Sequence, residues 1–122
     1  MDNLSLQDKM RIVQEIVPGK QITLAHIIAN PDEILYRKLG HDTSVEEDIG
    51  AIGILTISPS ETVIIAGDIA IKASGVELGF VDRFSGTLIV TGTVSTVHEA
   101  ILSILKYSKE TLGYEVCEIT KT

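Results

Sequence analysis

The chain has 122 residues, enough for one domain with a single hydrophobic core and too few for two ordinary domains. Aliphatic side chains supply nearly all of its 44% hydrophobic content, because aromatics reach only 4% and Trp is absent. The formal net charge of −7 argues against nucleic acid as a partner, since that partner requires a basic face to neutralise its phosphates.

The sequence has no pattern typical of export or membrane insertion. Its N-terminus is polar and lacks the basic-then-apolar pattern of a secretory signal. No apolar run approaches the roughly 20 residues that span a bilayer. The one cysteine, Cys117, has no partner for an internal disulfide, as is usual in a reducing cytosol. We expect a soluble cytoplasmic protein without a membrane partner.

Hydrophobic patterning and turn residues divide the chain into short elements. In chain order we predict strands at residues 11–17 and 22–29, a helix at 32–39, a strand at 51–58, a helix at 60–73, strands at 76–81 and 87–91, a helix from 96 to the glycine at 113, and a strand at 114–120. Residues 1–10 are expected to be flexible, and the acidic residues 42–48 are expected to form a solvated loop.

The helix starts are predicted from capping residues. Asn30, Ser58 and Thr96 are expected to cap the helices, because their side chains can accept hydrogen bonds from the first turn. A carboxylate follows each of them three residues later and completes a capping box: Glu33, Glu61 and Glu99.

The order of elements predicts an α+β fold. Residues 51–81 and 87–120 each follow the order strand, capped helix, glycine, strand. Two such units joined by a hairpin give the βαββαβ order of a ferredoxin-like domain, in which helices cover one face of a mainly antiparallel sheet.

The helix at 60–73 is unusually apolar. Glu61, Asp68 and Lys72 form one narrow polar stripe, and nearly every other side chain of the helix is aliphatic. A helix on an open sheet face is expected to be about half polar. We therefore expect this helix to have neighbours on two sides, which favours self-assembly over a monomer.

No active site is predicted. His26, His41 and His98 occur singly, and none has a second ligand at the spacing of a metal site. Cys117 resembles a buried small hydrophobe more than a nucleophile. We expect no catalytic residue, no metal site and no cofactor.

The hairpin loop at residues 82–86 places an aromatic side chain where apolar groups are normally avoided. Phe84 either folds back on the core or is held against other subunits near a symmetry axis. The sequence leaves both alternatives open.

Five segments resemble a known family: VPGKQITLAHIIANP (17–31), AIGILTISPSE (51–61), IIAGDIAIKASGVELGF (64–80), DRFSG (82–86) and CEITKT (117–122). On these segments, which span nearly the whole chain from residue 10, the sequence is identified as a bacterial microcompartment (BMC) domain. It is most similar to the circularly permuted shell proteins of ethanolamine- and propanediol-utilisation compartments. The resemblance implies a structural, non-enzymatic subunit.

The permutation is visible in the residues. In ordinary members of the family, a strand resembling HIIARP and its helix come after the second core helix, whereas residues 26–31 and the helix from Asp32 come first here. The resemblance therefore implies that residues 22–29 form the fourth core strand. Residues 114–120 then become an added C-terminal strand, and the core domain spans residues 20–122.

The resemblance also implies a cyclic homohexamer that packs edge to edge into the compartment wall. Lys72 matches the lysine of the hexamer edge, while Asn30 replaces an arginine that the family has near that edge, which predicts a different lateral contact. The pore-loop position is occupied by Arg83, Phe84, Ser85 and Gly86. The resemblance implies that six copies of Phe84 and Ser85 would converge on the symmetry axis.

In the permuted subfamily, the segment before the core resembles a strand of a small six-stranded β-barrel that caps the pore. Residues 11–18 occupy this position, and the cap would be formed by residues 11–17, namely Arg11, Ile12, Val13, Gln14, Glu15, Ile16 and Val17. A strand ahead of the core needs partners for its backbone groups, and a symmetric barrel supplies them.

We therefore predict a shell subunit in a cytoplasmic microcompartment, with itself, other shell proteins and encapsulated enzymes as partners. The ethanolamine compartment is favoured slightly, and a propanediol compartment is the alternative. A ferredoxin-like regulatory domain that binds a ligand in a dimer cleft is the less favoured alternative from another class.

Overall fold

The computed structural model describes residues 20–38 and 50–122. Within them, strands β1 to β5 comprise Gln21–Ala29, Ala51–Ser58, Glu77–Asp82, Thr87–Gly92 and Thr120–Lys121, and helices α1 to α3 comprise Glu33–Lys38, Thr62–Ser74 and Val94–Glu110. The predicted α+β class is confirmed. The predicted strand at 11–17 and the predicted loop at 42–48 lie outside the described residues.

The strands form one five-stranded sheet in the order β3-β4-β2-β1-β5. The pairs β3–β4, β4–β2 and β2–β1 are antiparallel, and β5 lies parallel to β1 at the far edge. The first strand of the described chain therefore occupies a central position beside β2. This agrees with the expectation that residues 22–29 supply the fourth core strand.

The C-terminal segment is less regular than the predicted strand at 114–120. Its backbone pairs with β1 near both ends, where Glu115 N–H donates to Lys20 O over 2.9 Å and Thr122 N–H donates to Ile27 O over 2.9 Å. Residues 116–119 have no strand pairing, and only Thr120–Lys121 forms a strand, which pairs with His26 and Ile27 of β1. The interruption faces the irregular register of β1 between Ile22 and Leu24, where β1 leaves the regular pleat.

Both long helices pack on one face of the sheet and against each other. The core between helices and sheet is almost wholly aliphatic and includes Ile27, Leu55, Val90, Ile101 and Ile104. Each of these side chains is at most 1% exposed. Closely packed aliphatic side chains can fill a core without aromatic residues, which agrees with the low aromatic content of the chain.

Gly53 allows α3 to approach the middle of the sheet. A Cβ atom at this position would lie 2.7 Å from a methyl of Val97 and 2.9 Å from the δ-methyl of Ile101. Real Cβ atoms do not pack that closely, so any larger residue would push the helix away from β2.

The helices start one or two residues away from the predicted positions. Asp32, not Asn30, caps α1, because its Oδ1 accepts a hydrogen bond from the N–H of Ile34 over 2.9 Å. Helix α3 begins earlier than predicted, with Thr93 rather than Thr96 as its cap; the Thr93 hydroxyl oxygen accepts from the N–H of Thr96 over 3.1 Å.

Helix α2 lacks the predicted cap at Ser58. Its N-terminal flanking residue is Glu61 in helical conformation, and no side chain accepts a hydrogen bond there. Instead, backbone carbonyls of the preceding turn accept from the first helical N–H groups, as Pro59 O does from Thr62 over 3.0 Å. Main-chain turns thus replace the side-chain cap that the sequence pattern indicated.

Candidate assembly surfaces

The outer face of α2 exposes three large aliphatic side chains. Ile64, Ile65 and Ile71 are 55%, 45% and 47% exposed, although the helix is otherwise packed on the sheet and on α3. The side that meets the core is built from small residues, such as Ala66, Gly67 and Ala70. The helix therefore has an exposed apolar side in the single chain, and the expectation that a second neighbour covers this side stays a prediction.

An ion pair lies on this apolar face. The Lys72 ammonium is 2.9 Å from Asp68 Oδ2, one helical turn away, and both side chains are more than half exposed. The hydrogen bond from Lys72 and the negative charge of Asp68 raise the pKa of the lysine. An exposed pair of this kind contributes little to the stability of a single chain, since water screens it.

The edge strand β3 extends the apolar surface. Leu78, Phe80 and Val81 are between 37% and 47% exposed, and the outer backbone edge of β3 has no strand partner among the described residues. Leu78 also lies next to α2, because a Cβ atom on Gly67 would be 3.7 Å from a methyl of Leu78. Unpaired edges with apolar side chains are surfaces that proteins normally cover.

The loop between β3 and β4 is held by Asp82. Its Oδ1 accepts the N–H of Phe84 over 2.9 Å, and its Oδ2 accepts the hydroxyl of Ser85 over 2.8 Å. These hydrogen bonds, the first one above all, lower the pKa of the Asp82 carboxyl. The sequence analysis missed this role, although an aspartate at the start of a tight turn is a recognised signal for it.

Phe84 points away from the core. It is 81% exposed, so the first of the two alternatives, in which it folds back, is wrong for the single chain. The guanidinium of Arg83 lies 4.9 Å from the centre of the Phe84 ring, a distance at which cation and ring attract each other. The loop tip therefore presents an aromatic ring and a positive charge together.

Gly86 joins the loop to the sheet. Its φ angle is +77°, its N–H donates to Asp82 O over 2.8 Å, and its carbonyl accepts from the N–H of Ile57 over 2.9 Å. A Cβ atom here would lie only 2.1 Å from the carbonyl oxygen of Ile57. Only glycine fits both the backbone conformation and the space.

The predicted edge residues Asn30 and Lys72 lie in separate parts of the chain. Asn30 follows β1 with a φ of +52°, and its N–H donates to Gly50 O over 2.7 Å. Helix α2, which carries Lys72, makes no contact with β1 in the described structure. One chain therefore does not bring the two residues together.

The histidines and the cysteine form no catalytic cluster in the described part of the chain. His26 lies between two hydroxyls, with Nδ1 2.6 Å from Thr120 Oγ1 and Nε2 3.0 Å from Thr122 Oγ1, so it holds the C-terminal segment against β1. Burial raises the pKa of the Cys117 thiol, which disfavours the reactive thiolate. His41 lies outside the described residues.

Within residues 20–38 and 50–122, no three His, Cys, Asp or Glu side chains come together as metal ligands would. None of the described helices is long and apolar enough to span a bilayer. The proposed barrel residues, Arg11 to Val17, are not among the described ones.

Comparison with known proteins bears on these surfaces. A model of the BMC domain matches residues 51–120. The shell protein EutS of Salmonella typhimurium is 51% identical over 115 residues, which cover 94% of this chain and 99% of EutS. The shell protein PduU of the same organism is 50% identical over 112 residues, covering 92% and 93% of the two chains.

Solved structures give the same result. A structure described as a CutR flat hexamer superposes with a TM-score of 0.79 at 46% identity and covers 92% of this chain and 99% of its own. Together with the family match over β2 to the C-terminal segment, this similarity leaves no ambiguity at the level of the family. The chain belongs to the BMC-domain family of bacterial microcompartment shell proteins.

Proposed function

We propose that the chain is a structural subunit of a microcompartment wall, which acts by forming homohexamers that pack edge to edge. The apolar surface formed by the exposed isoleucines of α2 and the exposed side chains of β3 carries this proposal, since a single chain leaves it in water. The names of EutS and PduU as shell proteins, and the CutR flat hexamer, support it. The proposal includes no catalytic step.

A circular permutation is part of the proposal. The family model matches residues 51–120, yet β1 precedes that range and still pairs along its length with β2. A strand that is central to the sheet but outside the family match is what moving a core strand to the front of the chain would produce. The domain would then span residues 20–122.

The loop at 82–86 is proposed to surround the hexamer axis. The high exposure of Phe84 supports this position, because a ring of subunits would cover its phenyl group. The close approach of Gly86 to the Ile57 carbonyl supports it as well, because it fixes where the loop leaves the sheet. Arg83, Ser85 and the other loop atoms would line the same opening.

The segment 11–17 is proposed to cap this opening as one strand of a β-barrel. Deleting residues 1–18 is then expected to leave the hexamer intact, because β1 and the core begin later. Native mass spectrometry and electron microscopy of the truncated chain test this. Monomers after the deletion would show that the segment drives assembly instead of covering the pore.

Lys72 and Asn30 are proposed to lie at the hexamer edge. Charge reversal by Lys72→Glu should weaken contacts between hexamers and leave each hexamer whole. Monomeric Lys72→Glu protein would place this residue between subunits of one ring and contradict the assignment.

The compartment type is proposed to be ethanolamine-utilising, with propanediol utilisation as the alternative. EutS at 51% and PduU at 50% identity separate the two only slightly. In either case the proposed location is the cytoplasmic compartment shell, with other shell proteins and encapsulated enzymes as neighbours.

Native mass spectrometry of the purified full chain tests the central proposal. A six-subunit species that persists on dilution is expected, and electron micrographs should show rings, sheets or tubes. A species that stays dimeric at all concentrations would overturn the proposal in favour of a ligand-binding regulatory domain.

A further inference from the structure

We infer that residues 114–122 form a strap along the outer edge of β1 that opens and closes as one unit, and that its opening releases the start of β1 while the rest of the core stays folded. The strap follows α3 after Gly113, whose φ angle is +75°. The contacts that carry the inference all lie within one chain, so the strap does not depend on the assembly proposed above.

The first end of the strap is fastened where β1 begins. Glu115 N–H donates to Lys20 O over 2.9 Å, and Ile22 N–H donates to Glu115 O over 2.8 Å. One residue earlier, the hydroxyl oxygens of Tyr114 and Thr62 are 2.8 Å apart. Thr62 is the first residue of α2 and is only 8% exposed, so this hydrogen bond ties the strap to a buried group of another element.

The second end is fastened where β1 ends. Thr122 N–H donates to Ile27 O over 2.9 Å, and Ala29 N–H donates to Thr122 O over 3.0 Å. The ring of His26 lies between the hydroxyls of Thr120 and Thr122, and each of its nitrogens is within hydrogen-bond distance of one of them. Because a hydroxyl can donate or accept, a neutral imidazole can make both bonds at once.

The middle of the strap is held more weakly than its ends. Residues 116–119 have no strand pairing, and their apolar side chains, Val116, Cys117 and Ile119, contact the core but are only partly buried. Core side chains such as Leu55 and Ile101 are 1% exposed by comparison. Segments with few fully buried apolar contacts and with exposed hydrogen bonds are those that open before a protein unfolds globally.

The two ends should stabilise each other. While one end is fastened, the short middle segment keeps the other end close to its partners, so that the second end closes at a high effective concentration. Release of one end removes this advantage and favours release of the other. The strap is therefore expected to open as one unit instead of fraying from its end.

Opening of the strap affects the start of β1 most. Strand β1 stays paired with β2 from Gln21 to Ala29, so the sheet persists without the strap. The register of this pairing is irregular between Ile22 and Leu24, and just before them Lys20 is bonded to the strap. Residues 11–18 join the core at this point, so the strap sets how firmly the preceding segment is anchored.

Hydrogen exchange of the full chain, followed by mass spectrometry with fragmentation to single residues, tests the strap. The strap protects the amides of Ile22 and Glu115 at its first end and those of Ala29 and Thr122 at its second end. All four should have similar protection factors, at least roughly tenfold lower than that of Ile57 in the core of β2. The Ile57 N–H donates to Gly86 O over 2.9 Å and does not contact the strap.

Variants at either end test whether the ends are coupled. Tyr114→Phe removes the hydroxyl bond of the first end, and His26→Leu removes both ring bonds of the second end. Each should lower protection at the opposite end by a factor of roughly five, as expected for the loss of a hydrogen bond. The matched control is Thr23→Val, which removes the 2.7 Å hydroxyl contact with Thr56 on the β2 side of the same strand and should leave all four amides unchanged.

Two results would overturn the inference. Loss of protection only at the substituted end would show that the ends fray independently, and strap amides as protected as that of Ile57 would show that the strap does not open before the core. Circular dichroism checks that each variant is folded. Thr62→Val replaces Tyr114→Phe, and the pair Thr120→Val and Thr122→Val replaces His26→Leu, if either chain is unfolded.

Discussion

Helices α2 and α3 lie side by side on one sheet face but distribute their side chains differently. Helix α3 buries large residues, such as Ile101 and Ile104, and exposes several charged ones, although Leu102 and Tyr107 are also 44% and 41% exposed. Helix α2 buries small residues and exposes large ones, among them Ile64 and Ile71. The difference indicates that α3 mainly stabilises the chain itself, whereas the outer face of α2 is the surface that we propose for contact with other copies.

Removing a large side chain from the inner face of α3 should have the largest effect on stability. Ile101→Ala is expected to lower the free energy of unfolding by about 2–5 kcal/mol, because the side chain is fully buried and leaves a cavity. Urea denaturation followed by circular dichroism measures the change. Ala100→Gly on the same helix would not test this effect, because it removes little core volume and lowers stability mainly through the greater backbone freedom of glycine.

Substitution at the start of α3 should lower the free energy of unfolding more than substitution at the start of α2. Thr93→Ala removes the acceptor for the N–H of Thr96 and is expected to lower the free energy of unfolding by about 1 kcal/mol. Glu61→Ala at the start of α2 should change it by less than about 0.5 kcal/mol, because no side chain caps that helix. Equal losses in the two variants would contradict the capping described above.

A substitution on the outer face of α2 should hardly change the free energy of unfolding but should weaken self-association. Ile71→Ser is expected to change the free energy of unfolding by less than about 0.5 kcal/mol, since the side chain is half exposed. Its self-association by sedimentation velocity should nevertheless fall, because the apolar contact beside the polar stripe is lost. Wild-type association would show that Ile71 lies outside any interface.

The smallest expected effect concerns the pKa of Lys72. Asp68 raises this pKa through a hydrogen bond and its charge, so Asp68→Asn should lower it, as NMR titration of the lysine ε-methylene would detect. Because the folded pKa is raised, the pair's slight stabilisation is complete below the unfolded lysine pKa. It disappears as the pH rises through the folded value. A titration unchanged by Asp68→Asn would mean that the ion pair is absent in solution.

Elements were predicted well from the sequence where their structure depends on their own residues. The strands β2 and β4 follow their runs of aliphatic residues, and the exposed apolar face of α2 follows from its shortage of polar positions. The family resemblance, and not periodicity, implied that residues 22–29 form a fourth core strand; the pairing of β1 with β2 was not predicted.

Predictions failed where a choice depended on neighbouring groups. Thr93 and Thr96 are both good caps in isolation; in the structure Thr93 directly follows β4 and caps the helix, and Thr96 lies in its first turn. The predicted strand at 114–120 has suitable alternation, but its pairing depends on the edge that β1 offers, which is irregular. The role of Asp82 was not predicted, although its hydrogen bonds are local ones, to residues two and three positions further on, of the kind that an aspartate at the start of a turn makes.

The base of the loop at Gly86 has a consequence for how such proteins can diverge. Because this residue is fixed by the Ile57 carbonyl and by its own φ angle, the loop leaves the sheet at one place and in one direction whatever its tip contains. Residues 83–85 are exposed and make few demands on the core. Their size and charge could therefore change from one relative to another without refolding the domain, so that a single scaffold could carry loop tips of different chemistry.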